Sequence, residues 1–196
     1  MTVAGFESLF AAPLAIFLFL VLCAALVLVV VSLRRPSTIP LLVAGGLVVL
    51  ALIVVAVTPL RLPELMGIIL ALLGVAVGVV GGNPVTRRVL DAASGGRVEE
   101  TADGGIVLHV QAADGAETER TLMRGGTVIG YLERLAVVLA IVAGYPEAIA
   151  VVVAVKGIGR FSELATSEAR ERFIVGTLAS LVWACVVGGL VRLALF

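Results

Sequence analysis

Charge is scarce in this 196-residue chain. Lys and Arg number 14, Asp and Glu number 14, and together they make 14% of the residues with a formal net charge of zero. A soluble domain carries about 25% charged residues. The scarcity excludes an ordinary soluble enzyme and a disordered chain. A net charge of zero leaves no global field to draw the protein to nucleic acid. Cysteine is nearly absent too. Cys23 and Cys185 stand alone in apolar runs, without metal-ligand spacing, and read as packing residues. There is a single histidine, His109, and a single lysine, Lys156. No motif for a metal or a cofactor is present, so neither is expected.

What fills the chain is apolar: 61% of the residues, with a mean hydropathy of +1.19. That much apolar surface needs lipid. A membrane span takes about 20 mostly apolar residues. The composition suggests six spans, at about 11–33, 40–59, 65–82, 125–144, 146–160 and 170–194. No basic residue precedes Arg34, so the first run reads as a retained helix and not a cleaved signal. The expected fold is an all-α integral membrane protein of six transmembrane helices. A small cytoplasmic β-meander is inserted between the third and fourth.

The basic residues sort by side. With the N-terminus outside, eleven of the fourteen fall on inner segments, Arg61 and Arg192 fall outside, and Arg134 lies within a span. The positive-inside rule then places both termini outside and residues 83–124 in the cytoplasm. The arrangement suits a bacterial inner membrane.

Residues 83–124 carry five arginines and seven carboxylates and read as soluble. Asn83-Pro84 has the chemistry of a helix start, with a short amphipathic helix along the inner leaflet stopped at Gly95-Gly96. Asp103-Gly104 and Asp114-Gly115 are turn signals. They divide three strand-like runs: Arg97–Thr101, Ile106–Gln111 and Glu117–Leu122. A three-stranded meander this small needs a partner surface, so residues 97–122 are a candidate contact for another protein. His109 reads as a surface residue.

Two features stand out within the apolar mass. The third run carries Gly67, Ala71, Gly74, Gly78 and Gly82 on one helical face. Such a face permits close helix approach or lines a gate. The second feature is a set of polar residues in the last third. Glu133 and Arg134 lie about 10 Å inside the fourth run at 1.5 Å per residue, and charge at depth is costly. A turn centred on Tyr145-Pro146 sets Lys156 opposite this pair. Arg160 follows one turn on, and Thr177 and Ser180 enter from the same side. The candidate polar layer is thus Glu133, Arg134, Lys156, Arg160, Thr177 and Ser180.

The layer has more than one interpretation. The cations could snorkel to headgroups while Glu133 neutralises one of them, locking a hairpin. Alternatively the layer binds or conducts a small ion, or binds an anionic lipid headgroup. A third possibility is a membrane-embedded lipid-modifying enzyme with Glu133 as base. A carboxylate among three cations makes a poor base, and no nucleophile–base pair accompanies it. A structural subunit of a membrane complex is the remaining alternative. The expected partners are therefore the bilayer, an anionic lipid or ion, and a protein at residues 97–122, with no nucleic acid.

Three motifs carry a resemblance: Gly126-Thr-Val-Ile-Gly-Tyr-Leu-Glu-Arg134, Lys156-Gly-Ile-Gly-Arg-Phe161, and Glu171 followed by Gly176-Thr-Leu-Ala-Ser180. In this order they resemble a family of uncharacterised polytopic membrane proteins with actinobacterial members. The resemblance covers residues 125–180. Arg172 and Val175 stand where that pattern has Tyr and Ile. It implies a membrane architecture and the same polar residues, and it implies no activity.

Overall fold

The computed structural model describes residues 3–34, 37–58, 62–94, 106–111, 117–122, 126–159 and 167–196. In chain order the elements are α1 (Val3–Arg34), α2 (Thr38–Val57), α3 (Glu64–Ser94), β1 (Ile106–Gln111), β2 (Glu117–Leu122), α4 (Gly126–Val142), α5 (Ala148–Gly159) and α6 (Ser167–Leu195).

Among the described residues, four helices are long and apolar enough to cross a membrane: α1 from Ala11, α2, α3 and α6 from Ala169. The expectation of six spans is corrected by α4 and α5, which have 17 and 12 residues. They fall short because the chain turns early. Gly144 adopts φ +79°, a conformation that favours glycine. The Gly144 amide then donates to Ile141 O at 3.0 Å and the Tyr145 amide to Ala140 O at 2.8 Å. This left-handed cap closes α4, and α5 starts only at Ala148. Arg192 of α6 reinforces the cap by donating to Ile141 O at 3.0 Å.

The three-stranded meander is corrected as well. Among the described residues the sheet has two strands, with β1 antiparallel to β2 and a register from Ile106↔Leu122 to Gln111↔Glu117. Arg97–Thr101 lies outside the described residues. Asn83-Pro84 does not start a helix either. The third apolar run and the expected amphipathic helix are one helix, with Pro84 inside it. Proline there costs the amide that would bond Val80 O, yet α3 continues to Ser94.

Packing explains why α3 tolerates this. It touches α1, α2, α4 and α6, and its heaviest contact is with α6. The buried residues of α1 (Leu18, Leu22, Ala25, Val29) and of α2 (Ala44, Val48, Ala51, Val55) recur at spacings of four, three and four, the rhythm of one packed helical face. On α3 the small-residue seam meets α6 running antiparallel. A Cβ on Gly67 would meet Leu195, and one on Gly74 would run into Val191 Cγ2. At Gly78 it would meet Val138 at 3.0 Å and Val187 at 3.4 Å, and at Gly81 the Trp183 ring at 2.6 Å. Trp183 also donates its indole N–H to Val77 O at 3.1 Å. The seam is a packing surface, filled by α6 and α4.

Hydrophobic water expulsion cannot hold helices together within lipid, so close packing has to. Gly74→Ala is therefore expected to destabilise the protein in detergent by about 1–3 kcal/mol through overpacking. Gly45→Ala on α2, where a Cβ meets nothing within 4 Å, should leave the unfolding midpoint unchanged. Combining Gly74→Ala with Val191→Ala should recover part of the loss. A midpoint for Gly74→Ala equal to wild type would refute the seam contact.

Candidate functional site: a polar layer around Arg134

Arg134 is on the α4 face turned toward α3 and α6. It is 2% exposed and is the largest fully buried side chain among the described residues, so it does not snorkel. Gly82 makes room for it. A Cβ there would run into Arg134 Cδ and Nε. The guanidinium then reaches across two helix interfaces. Nε donates to Val79 O of α3 at 2.7 Å, Nη2 to Asn83 Oδ1 of α3 at 2.6 Å, and Nη1 to Ser180 Oγ of α6 at 3.0 Å. The Tyr131 ring lies 5.3 Å from Cζ. A planar fork of five donors suits this task, where a lysine would offer one point.

Glu133 points to the other side of α4. Lys156 of α5 donates to its Oε2 at 2.5 Å, with side-chain exposures of 18% for Lys156 and 12% for Glu133. Lys156 Nζ also stands 5.8 Å from the Phe173 ring centroid of α6, a cation–π distance. The pair ties α5, which has no buried residue of its own, to α4 and α6.

The structure thus brings together five of the six layer residues. Arg134 and Ser180 bond directly, and Glu133 and Lys156 pair beside them. Thr177 is buried one turn from Ser180, and its Oγ1 has no hydrogen-bond partner. Arg160 lies outside the described residues. The sequence reasoning missed Val79 and Asn83 as partners of Arg134, and it placed Gly82 on the small-residue face without linking it to the arginine. Their signal is the run Gly81-Gly82-Asn83-Pro84: two missing side chains and a missing amide mark backbone open to a reaching side chain. Thr86 Oγ1, like Thr177 Oγ1, is buried without a partner.

Two hollows lie elsewhere. One is an apolar groove of about 500 Å³ between α2, α3 and α6, floored by Val85, Val89 and Trp183. The other, about 70 Å³, lies among Ser32, Ser37, Arg87 and Arg88. Neither includes Glu133, Arg134 or Lys156 in its lining.

Compared with known proteins, the chain matches no family model, no curated relative and no solved structure.

Arg134→Lys should destabilise the protein by about 2–4 kcal/mol, because it strands buried acceptors that one ammonium cannot serve together. Ser180→Ala, which removes one of three partners, should cost about 1 kcal/mol. A double-mutant cycle on Glu133→Gln and Lys156→Met should give a coupling of about 1–3 kcal/mol. Equal effects of Arg134→Lys and Ser180→Ala, or additive effects in the cycle, would contradict these bonds.

Proposed function

We propose that this protein is a non-catalytic module of a bacterial inner membrane that binds an anionic group at the polar layer. The anionic group is the phosphate of an anionic lipid or a small free anion. One observation carries the proposal. Among the described residues the layer holds two cations and one carboxylate, and the carboxylate is engaged by Lys156. Arg134 is left with neutral acceptors only. A buried charge is normally paired, and here the layer keeps a net charge of +1.

The membrane orientation belongs to the same proposal. Four crossing helices are an even number, so both termini share a side. Placing them outside puts Arg34, Arg87, Arg88, Arg170 and Arg172 at the inner surface, as the positive-inside rule favours. The α4–α5 hairpin then dips in from the inner side with its polar layer near the inner leaflet. The motif resemblance of residues 125–180 supports this reading in so far as Glu133, Arg134 and Lys156 are among its charged positions.

The test is the unfolding midpoint of purified protein in detergent with added phosphatidylglycerol, phosphatidylcholine, or inorganic anions against gluconate. An anionic group should raise the midpoint over its neutral or bulky counterpart. For the lipid arm the preference should persist in about 1 M sodium gluconate, where the screening length is about 3 Å and exposed arginines contribute little. Equal midpoints with both lipids, together with equal midpoints in all anions, would overturn the proposal.

A further inference from the structure

The smaller hollow, of about 70 Å³, lies where α1 ends and α2 begins, against the last turns of α3. Its polar lining is Ser32 of α1, Ser37 just before α2, and Arg87, Arg88 and Asp91 of α3. A water needs about 10–15 Å³ of such space. The hollow therefore has room for roughly five water-sized atoms, which is the atom count of a phosphate group.

The lining favours negative charge. Two guanidinium groups face one carboxylate, so the described lining carries a net charge of +1. Arg88 Nη1 donates to Asp91 Oδ2 at 3.5 Å, with side-chain exposures of 39% and 51%. A long pair this open to water holds Arg88 only weakly. Ser32 closes the hollow from inside the fold, at 4% exposure. Its hydroxyl donates to Ser37 O at 3.4 Å, beyond the about 2.5–3.0 Å of a good O–H···O bond. A buried hydroxyl so loosely held gains from a closer acceptor. The start of α2 adds to the field. Its first turn has no acidic residue, and Ser37 at the N-cap makes no side-chain cap bond, so the positive end of the helix is left without a countercharge.

We infer that this hollow is a second anion site, separate from the polar layer, and that it takes a phosphate group. Guanidinium forks match the paired oxygens of a tetrahedral oxyanion, and Ser32 supplies a hydroxyl donor from the buried side. A single halide would leave most of the hollow empty. The phosphate belongs to a lipid headgroup or is free inorganic phosphate. In the orientation proposed above the hollow lies at the inner surface, where anionic headgroups gather. Asp91 is the group that opposes binding. The phosphate takes Arg88 from it, and its own charge repels the ligand.

The test follows the unfolding midpoint of the full chain with two probes at low ionic strength. One is inorganic phosphate titrated against gluconate in detergent. The other is phosphatidylglycerol against phosphatidylcholine in nanodiscs. Asp91→Asn should strengthen the response to the phosphate group by about fivefold in affinity. Arg88→Gln should weaken it by at least as much. Arg88→Lys keeps the charge but loses the fork, and it should also weaken binding severalfold, which a diffuse surface field would not produce. Arg88 and Asp91 are partly exposed, so these variants should fold. A response to both probes, or to inorganic phosphate alone, marks a site open to the free ion. A response to phosphatidylglycerol alone makes the headgroup the source. The inference is overturned if neither probe acts on wild type, if Asp91→Asn and Arg88→Gln fail to move the response in opposite directions, or if Arg88→Lys behaves as wild type. The polar layer is judged separately, by the lipid preference that persists in about 1 M gluconate and that Arg88→Gln should leave unchanged.

Discussion

A guanidinium out of reach of water sets the terms for the packing of α3, α4 and α6. Arg134 carries a full charge at 2% exposure, and stranding such a charge would cost several kcal/mol. Its bonds to α3 and α6 offset that cost only if three helices keep their relative height and rotation. A slip of one residue along α4 moves the fork by about 1.5 Å and turns it by about 100°, which breaks all three bonds together. Apolar packing tolerates small slips, because one methyl replaces another. The arginine does not, and so it fixes the register that the valine- and alanine-rich surfaces leave loosely specified.

The glycines make this possible. Gly82 lets the arginine stem lie on the α3 backbone, and Gly81 does the same for the Trp183 ring one residue earlier. These two long side chains, from α4 and α6, bond carbonyls of one α3 stretch, Val79 and Val77. The proline four residues beyond Val80 sits at the same stretch. Backbone acceptors that would face lipid or methyl groups face polar donors instead. The same logic operates at the far end of α4, where Arg192 meets the last carbonyls and Gly144 lets the chain turn under it. Two arginines therefore secure α4, one by its flank and one by its C-terminus, although α4 is short for a crossing helix.

How far the sequence reveals this varies by residue. The apolar runs expose α1, α2 and α6 directly, since uninterrupted hydropathy over 20 residues has few other outcomes. Hydropathy finds the break at Tyr145-Pro146 but counts the runs on either side of it as full spans, whereas α4 and α5 have only 17 and 12 residues, short of the about 20 that a crossing needs. It also divides α3 at Pro84, because local propensity ranks proline as a start signal while tertiary contacts carry the helix past it. Counting from the Tyr145-Pro146 turn puts Lys156 opposite Glu133, and the two lie 2.5 Å apart. That relation is local, within 23 residues. The partners of Arg134 on α3 are more than 50 residues away, and helical periodicity can say which face it occupies but not which helix passes there.

The layer divides its charges into two unlike settings. Glu133 and Lys156 form a neutral pair at the edge of α5, where partial exposure softens the desolvation cost. Arg134 sits inside, served by a carbonyl, an amide and a hydroxyl. If the layer were needed only to hold the helices, exchanging the partners so that Glu133 met Arg134 would neutralise the more deeply buried cation. The structure commits the carboxylate to the shallower cation instead. A buried positive charge without its own carboxylate is the weaker design for stability alone. The proposed anion-binding role rests on this asymmetry more than on any single bond.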